Sequence, residues 1–217
     1  MRRPHMDPDR VGVGYGCRPA KHRKDTTCAC RSPSCRRRPG RHIPAPPRAA
    51  RIAHPGGTLL AHLQRVRARL AAWGARPELQ LAGLCHAFYG TDGFPVTLLP
   101  LGRRGELVAV IGAEAEAIVY LYASCDRKAT CPALADPGAA FHDRFTGRTH
   151  SPEPRLLRDF AELSAANELD LARRDPVLRE RRGPELLALF TRFRPLLSHP
   201  AWLDGRAVLT PSPLAHD

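Results

Sequence analysis

The sequence predicts an all-α fold: a helical bundle preceded by a disordered basic N-terminal tail. Three observations carry this. From Ile52 onward apolar residues recur at helical steps of three and four, nothing alternates convincingly with period two, and composition changes abruptly at Ile52. The boundaries are 1–51 for the tail and 52–217 for the helical domain.

The elements follow in order. Leu59, Leu63, Val66, Leu70 and Trp73 form an apolar helical stripe, with Thr58 placed as an N-cap and Gly74 as the residue after the C-cap. Pro77 opens a second helix through Leu81, Leu84, Cys85 and Phe88, and the Gly90–Pro95 stretch breaks it. A short helix is expected around Val96–Leu101 and another across Glu106–Ile111. The run Ala113–Asp126 carries Ile118, Val119, Leu121, Tyr122 and Cys125. Residues 128–152 read as a long loop, of the kind that is often functional or mobile. Two more helices are expected at about Pro154–Arg173 and Pro184–Leu197, the latter with Leu186, Leu189, Phe190, Phe193 and Leu197 on one face. There is no internal repeat.

Residues 1–51 are rich in Arg, Pro and Gly and poor in large apolar residues, so they cannot offset their ordering entropy by burial. They hold 14 Lys and Arg against three Asp; the remaining residues hold 20 basic against 18 acidic. The formal charge of +13 therefore belongs to the tail and not to the domain. Three roles compete for the tail. Cys28, Cys30, Cys35 and His22 or His42 would make a zinc site, although Cys-x-Cys departs from the usual knuckle spacing. Arg36, Arg37 and Arg38 would make an electrostatic nucleic-acid arm, with no aromatic residues between them to stack on bases. Otherwise it is a solvated basic segment, or one translated from upstream of the start codon. Nucleic acid is thus expected as a partner only through a weak contribution of the tail.

No apolar run is long enough to cross a bilayer, and Arg2-Arg3 has no apolar stretch behind it as a secretion signal requires. A cytoplasmic protein without membrane contact is expected. Seven cysteines in such a chain predict reduced thiols.

Several polar residues interrupt the apolar faces. His62 lies at the edge of the first stripe, His86 follows Leu84-Cys85 near the end of the second helix, and Asp126 ends the Ile118–Cys125 run. The rhythm of Leu156, Phe160 and Leu163 continues to Asn167 and Asp170. An unpaired buried polar group costs about 1–3 kcal/mol. Such groups on different helices are therefore expected to meet one another or a metal. Taken singly, each has a plainer explanation: a half-exposed histidine, a capping Asp, or a helix leaving the core.

The pattern His62, Val66, Gly74, Leu84-Cys85-His86 resembles the first half of the HD metal-hydrolase superfamily, in which a His is followed by a His-Asp pair near the end of the next helix. Among its branches the guanosine-polyphosphate hydrolases are the nearest: Ile111-Gly112 with Ala117–Leu121, and Cys125-Asp126-Arg127, are similar to their later helix and their final Asp ligand. The likeness covers roughly residues 54–127. A second likeness, over most of residues 52–197, is to an uncharacterised bacterial domain family. It rests on His54-Pro-Gly-Gly-Thr58, Ala82-Gly-Leu-Cys-His86-Ala-Phe-Tyr89-Gly90-Thr91, Cys125-Asp126-Arg127, Asp143-Arg-Phe-Thr-Gly147 and Ala166-Asn167-Glu168-Leu-Asp170. It implies a shared fold and site and brings no reaction.

The HD resemblance implies an HD-domain-like bundle holding a divalent metal between helices, with a phosphorylated small molecule as substrate. The Asp of the HD pair is replaced by Ala87, which cannot ligate. Three arrangements follow. His62, His86 and Asp126 hold one metal (Mn, Fe or Zn), for a hydrolase or an iron oxygenase. Alternatively His54 or Asp92 replaces the missing ligand. In the third, the metal is gone and a ligand-binding or inactive-enzyme module remains. Asp92, Arg127, Asn167 and Asp170 are the candidate catalytic residues, with Arg103 and Arg104 beside Arg127 as phosphate contacts.

Overall fold

The computed structural model describes residues 48–210. The tail assignments at Cys28, Cys30, Cys35, His22, His42 and Arg36–Arg38 lie outside the described residues. Residues 48–51, grouped with the tail by composition, form a turn whose Ala49 is buried and accepts from the Leu60 amide at 3.1 Å.

The described residues are mainly helical. A two-stranded ribbon, β1 (Ala53–His54) and β2 (Gly57–Thr58), leads into α1 (Leu59–Ala72). Thr58 caps α1 through the Ala61 amide, and Gly74, at φ +78, ends it: its amide reaches the Ala71 carbonyl while that of Ala75 reaches Leu70. These are the two hydrogen bonds of a Schellman motif, and they need the positive φ that glycine takes without strain.

α2 (Pro77–Cys85) packs on α1. The two pack tightly at Gly83, where a Cβ would come within 2.6 Å of the buried Leu70 side chain. α2 ends three residues before Phe88, because Phe88, Gly90, Leu98 and Leu99 enter a compact turn in which both leucine amides donate to the Phe88 carbonyl. The helix expected at Val96–Leu101 is consequently absent. A single 3₁₀ turn (Leu101–Arg103) precedes α3 (Arg104–Ile111) and α4 (Ala113–Ser124).

The segment expected to be a loop is structured instead. It holds the one-turn helix α5 (Arg127–Thr130) and the antiparallel hairpin β3 (Phe141–Asp143) and β4 (Arg148–His150). Asp143 explains the hairpin. Its carboxylate takes the amides of Phe145 and Thr146 and the Tyr120 hydroxyl, which satisfies a tight turn that has little apolar content to announce it.

α6 (Pro154–Arg174) contacts α1, α2, α4, α7 and α8. α7 spans Pro176–Arg192, starting earlier and ending earlier than the expected Pro184–Leu197: Asp175 caps it through the Leu178 amide, Pro184 is accommodated inside it, and it ends at its C-cap Phe193. An unforeseen α8 (His199–Leu209) follows, capped by Ser198. The core is built from the α1 stripe, Ile118, Val119 and Tyr122 of α4, Phe160, Leu163 and Leu169 of α6, and Phe190 and Phe193 at the end of α7. No helix among the described residues is long and apolar enough to cross a membrane.

Candidate functional site

One turn of α1 past its N-cap, His62 points between α1 and α6 and is 1% exposed. Its Nδ1 donates to Asp170 Oδ2 at 2.7 Å, and its Nε2 faces Asn167 Oδ1 at 3.1 Å. Both ring nitrogens thus face oxygens. A ring carrying both protons satisfies both contacts; a neutral ring does so only if the Asn167 amide turns over. Arg65, three residues along α1, closes the arrangement: its Nε and Nη2 donate to the two Asp170 oxygens, each at 2.8 Å. Burial works to raise the Asp170 pKa, but hydrogen bonds from His62 and Arg65 outweigh it and hold the carboxyl well below the usual carboxylate range.

His86 lies at the C-cap of α2 and is 2% exposed. Its Nδ1 donates to the Gly83 carbonyl at 2.8 Å. Burial, and then the neighbouring His62, push its pKa down to about 3, so the ring is neutral and Nε2 keeps a bare lone pair. Its ring meets those of His62 and Tyr122 edge-on, at 5.3 and 5.2 Å between centroids. His54, from the β1–β2 ribbon, stacks on the face of His62 at 4.1 Å, and burial lowers its pKa to about 4.

These rings border a cavity of about 430 Å³. Its other walls come from Pro55, Leu59, Ala87, the 91–94 turn, Arg127, Asn167, Glu168, Leu171 and Arg182. Of the site residues expected from sequence, His54, His62, His86, Asp92, Arg127 and Asn167 line this cavity, and Asp170 lies behind it against His62. Asp92 has a positioning task, since its Oδ2 accepts from the Arg127 amide at 3.0 Å and ties the turn to α5. The Arg127 guanidinium lies over the Tyr122 ring at 4.8 Å and stands 3.9 Å from Glu168.

Asp126 is the exception. It was expected to converge with the histidines as the carboxylate ligand, but it is not on the cavity wall. Its Oδ1 accepts from the Ala129 amide at 3.0 Å as the N-cap of α5. The chain turns out of α4 at Cys125, and the nearest orphan amides belong to α5, which the carboxylate satisfies. Arg103 and Arg104 also differ from expectation. Arg103 pairs with Glu106, and Arg104 grips the buried Glu116 through two bonds of 2.7 and 2.8 Å. Neither lines the cavity.

The metal implied by the HD resemblance can be tested against these positions. The chemistry of His62 and His86 fits, because in each Nδ1 is anchored on an oxygen, as in metal-ligating histidines. The set as a whole does not fit. Asp126 is spent on a cap, Ala87 lines the wall where an Asp would stand, and His54 lies flat against His62 instead of converging with it. Among the described residues no three His, Cys, Asp or Glu side chains form a group that would hold an ion.

Two members of the site, Arg65 and Glu168, were not among the residues expected to form it. Arg65 had a signal, since it stands one helical turn after His62 on α1. Glu168 had little, because it falls off the Leu156, Phe160, Leu163 rhythm of α6 yet lines the cavity beside Asn167. Neither the search of curated proteins nor that of solved structures found a match. Residues 46–127, which include His54, His62, His86, Asp92, Asp126 and Arg127 but not the α6 half of the site, match the model of a family described as a domain of unknown function (DUF6817).

Proposed function

We propose that this domain binds a small phosphorylated molecule in the cavity between α1, α2 and α6, as a ligand-binding module and not as a phosphohydrolase of the HD kind. The observation that supports this best is the Arg65–Asp170–His62 chain. It fixes a fully buried imidazole at the cavity wall with its Nε2 side toward Asn167 and the cavity. Holding a titratable ring rigidly in this way serves to orient it toward a ligand. Arg127 supplies a guanidinium whose contact with Glu168, at 3.9 Å, is loose enough to be exchanged for a phosphate. Ala87 and the capping role of Asp126 argue against the HD reaction.

A second reading keeps a divalent metal (Mn, Fe or Zn) on Nε2 of His62 and His86, for a hydrolase or an iron oxygenase. It is favoured by the anchoring of both Nδ1 atoms and requires Asp126 to leave its cap. Two titrations of the full chain, followed by the ring signals of His62 and His86 in ¹H–¹⁵N spectra, separate these readings. Phenyl phosphate is expected to shift both rings without added metal, and Arg127→Gln to weaken its binding about tenfold. Stoichiometric Mn(II) or Zn(II) binding that His86→Gln abolishes supports the second reading. Silence toward phosphates at millimolar concentration sinks the first.

A further inference from the structure

Two residues that line the cavity each carry a buried polar atom with no hydrogen-bond partner, Glu168 Oε2 and His54 Nδ1. A third atom has the same character. His86 Nδ1 is committed to the Gly83 carbonyl, which leaves Nε2 as a lone pair. The first and third of these are acceptors. A neutral His54 ring offers Nδ1 as donor or acceptor according to its tautomer. A phosphate does not match such a wall, since at neutral pH it brings acceptors only and would set its negative charge against Glu168.

From this we infer that the ligand carries hydroxyl groups beside its phosphate, and that Glu168 is the residue that reads them. The inference rests on the phosphate-binding reading above and deepens it. The ligand class is a hydroxylated phosphate monoester, a sugar or polyol phosphate. A hydroxyl donates to Glu168 Oε2 or His86 Nε2 and accepts from or donates to His54 Nδ1 with equal ease, so it satisfies either tautomer. An ammonium group matches the wall only when His54 Nδ1 is an acceptor, and an alkyl group would leave a carboxylate oxygen desolvated and unpaired, which is the more costly case. The cavity is thereby divided by chemistry: Arg127 meets the phosphate, and Glu168 with His54 and His86 meets the hydroxyls. Asn167 stands between the two sets, its Nδ2 donating to Glu168 Oε1 at 3.3 Å and its Oδ1 facing His62. This commits one Glu168 oxygen and leaves the other without a protein partner.

The test uses the full chain and a matched pair of probes, glycerol phosphate and n-propyl phosphate, which differ only in hydroxyl groups. Calorimetric titration is expected to show glycerol phosphate binding about tenfold more tightly or better. Glu168→Gln should bring the two within about threefold of each other, whatever change it makes to the phosphate affinity that both probes share through Arg127. His54→Phe, which keeps a flat ring against His62, should narrow the difference without abolishing it. Equal affinity of the two probes for the unmodified chain overturns the inference and leaves the phosphate reading intact. Failure of both probes and of inorganic phosphate to bind removes both. A tight Mn(II) or Zn(II) complex lost in Glu168→Gln would show the acceptor wall to be a cation site and would also overturn it.

Discussion

At the scale of single residues the site turns on Asp170, a carboxylate 1% exposed between an imidazole and a guanidinium. Replacing it by Asn keeps the volume but strands Arg65 and His62. Asp170→Asn is expected to destabilise the fold by about 3 kcal/mol in urea denaturation. Arg65→Met should cost less, because the Arg65 side chain is 22% exposed and its loss leaves His62 in place. Equal losses for the two variants would mean that the His62 contact contributes nothing. Acid should act in the same direction. His86 is held down to about 3 and His54 to about 4, against an ordinary 6.5, and Asp170 is held below its own ordinary value. All three bind fewer protons in the folded state than in the unfolded one, so stability rises with pH wherever they titrate. The histidine contribution is complete above about 6.5 and is lost as pH falls toward 4 and then 3. Melting temperatures should therefore drop from pH 7 to pH 5, and His86→Gln should flatten that slope; an unaltered slope in the variant would contradict the neutral buried ring. Asn167 and Asp170 were legible in the sequence because they continue an apolar rhythm in polar letters. Glu168 was not, since a residue one step off a helical stripe faces a cavity only when a neighbouring element leaves space there.

At the scale of elements, α1 was legible almost to the residue. Its cap, stripe and Schellman glycine all point the same way. The hairpin β3–β4 was not, because its stability lies in one Asp side chain and not in alternating apolar residues. The start of α7 and the whole of α8 were hidden by Pro176, Pro184, Pro200 and Gly205, which read as breaks; Pro176 and Pro200 sit in first turns, Gly205 is buried against Phe190, and Pro184 stands on the exposed face of α7. Asp126 belongs to this scale too. As the cap of a one-turn helix its replacement by Ala should cost about 1 kcal/mol and leave phosphate affinity unchanged. A large loss of ligand or metal affinity in Asp126→Ala would restore it to the site. At Gly83, whose carbonyl anchors His86, an Ala side chain would collide with Leu70 of α1. Gly83→Ala should destabilise by about 1–3 kcal/mol, read by denaturation.

At the scale of the whole molecule, charge and fold are separately located. Residues 52–217 carry 20 basic against 18 acidic side chains, so retention on nucleic acid at low salt should be a property of the first 51 residues and vanish with them. Retention by residues 52–217 alone would overturn that.

The hairpin joins parts of the fold that are far apart in sequence. The Asp126 amide donates to the His142 carbonyl, the Arg144 amide to Ser124, and the Arg144 side chain to the carbonyls of Ala123 and Gly90. The end of α4, the start of α5 and the turn after α2 are thus fastened by one short ribbon, and these are the pieces that carry Arg127, Ala87 and the edge of the 91–94 turn. In hydrogen exchange the amides of Asp126 and Arg144 should accordingly be released only on global unfolding, whereas those of the β1–β2 ribbon, a two-residue pairing that bears His54, should open independently. Solvent and ligand would then enter past the His54 ribbon, with the opposite wall acting as the fixed jaw.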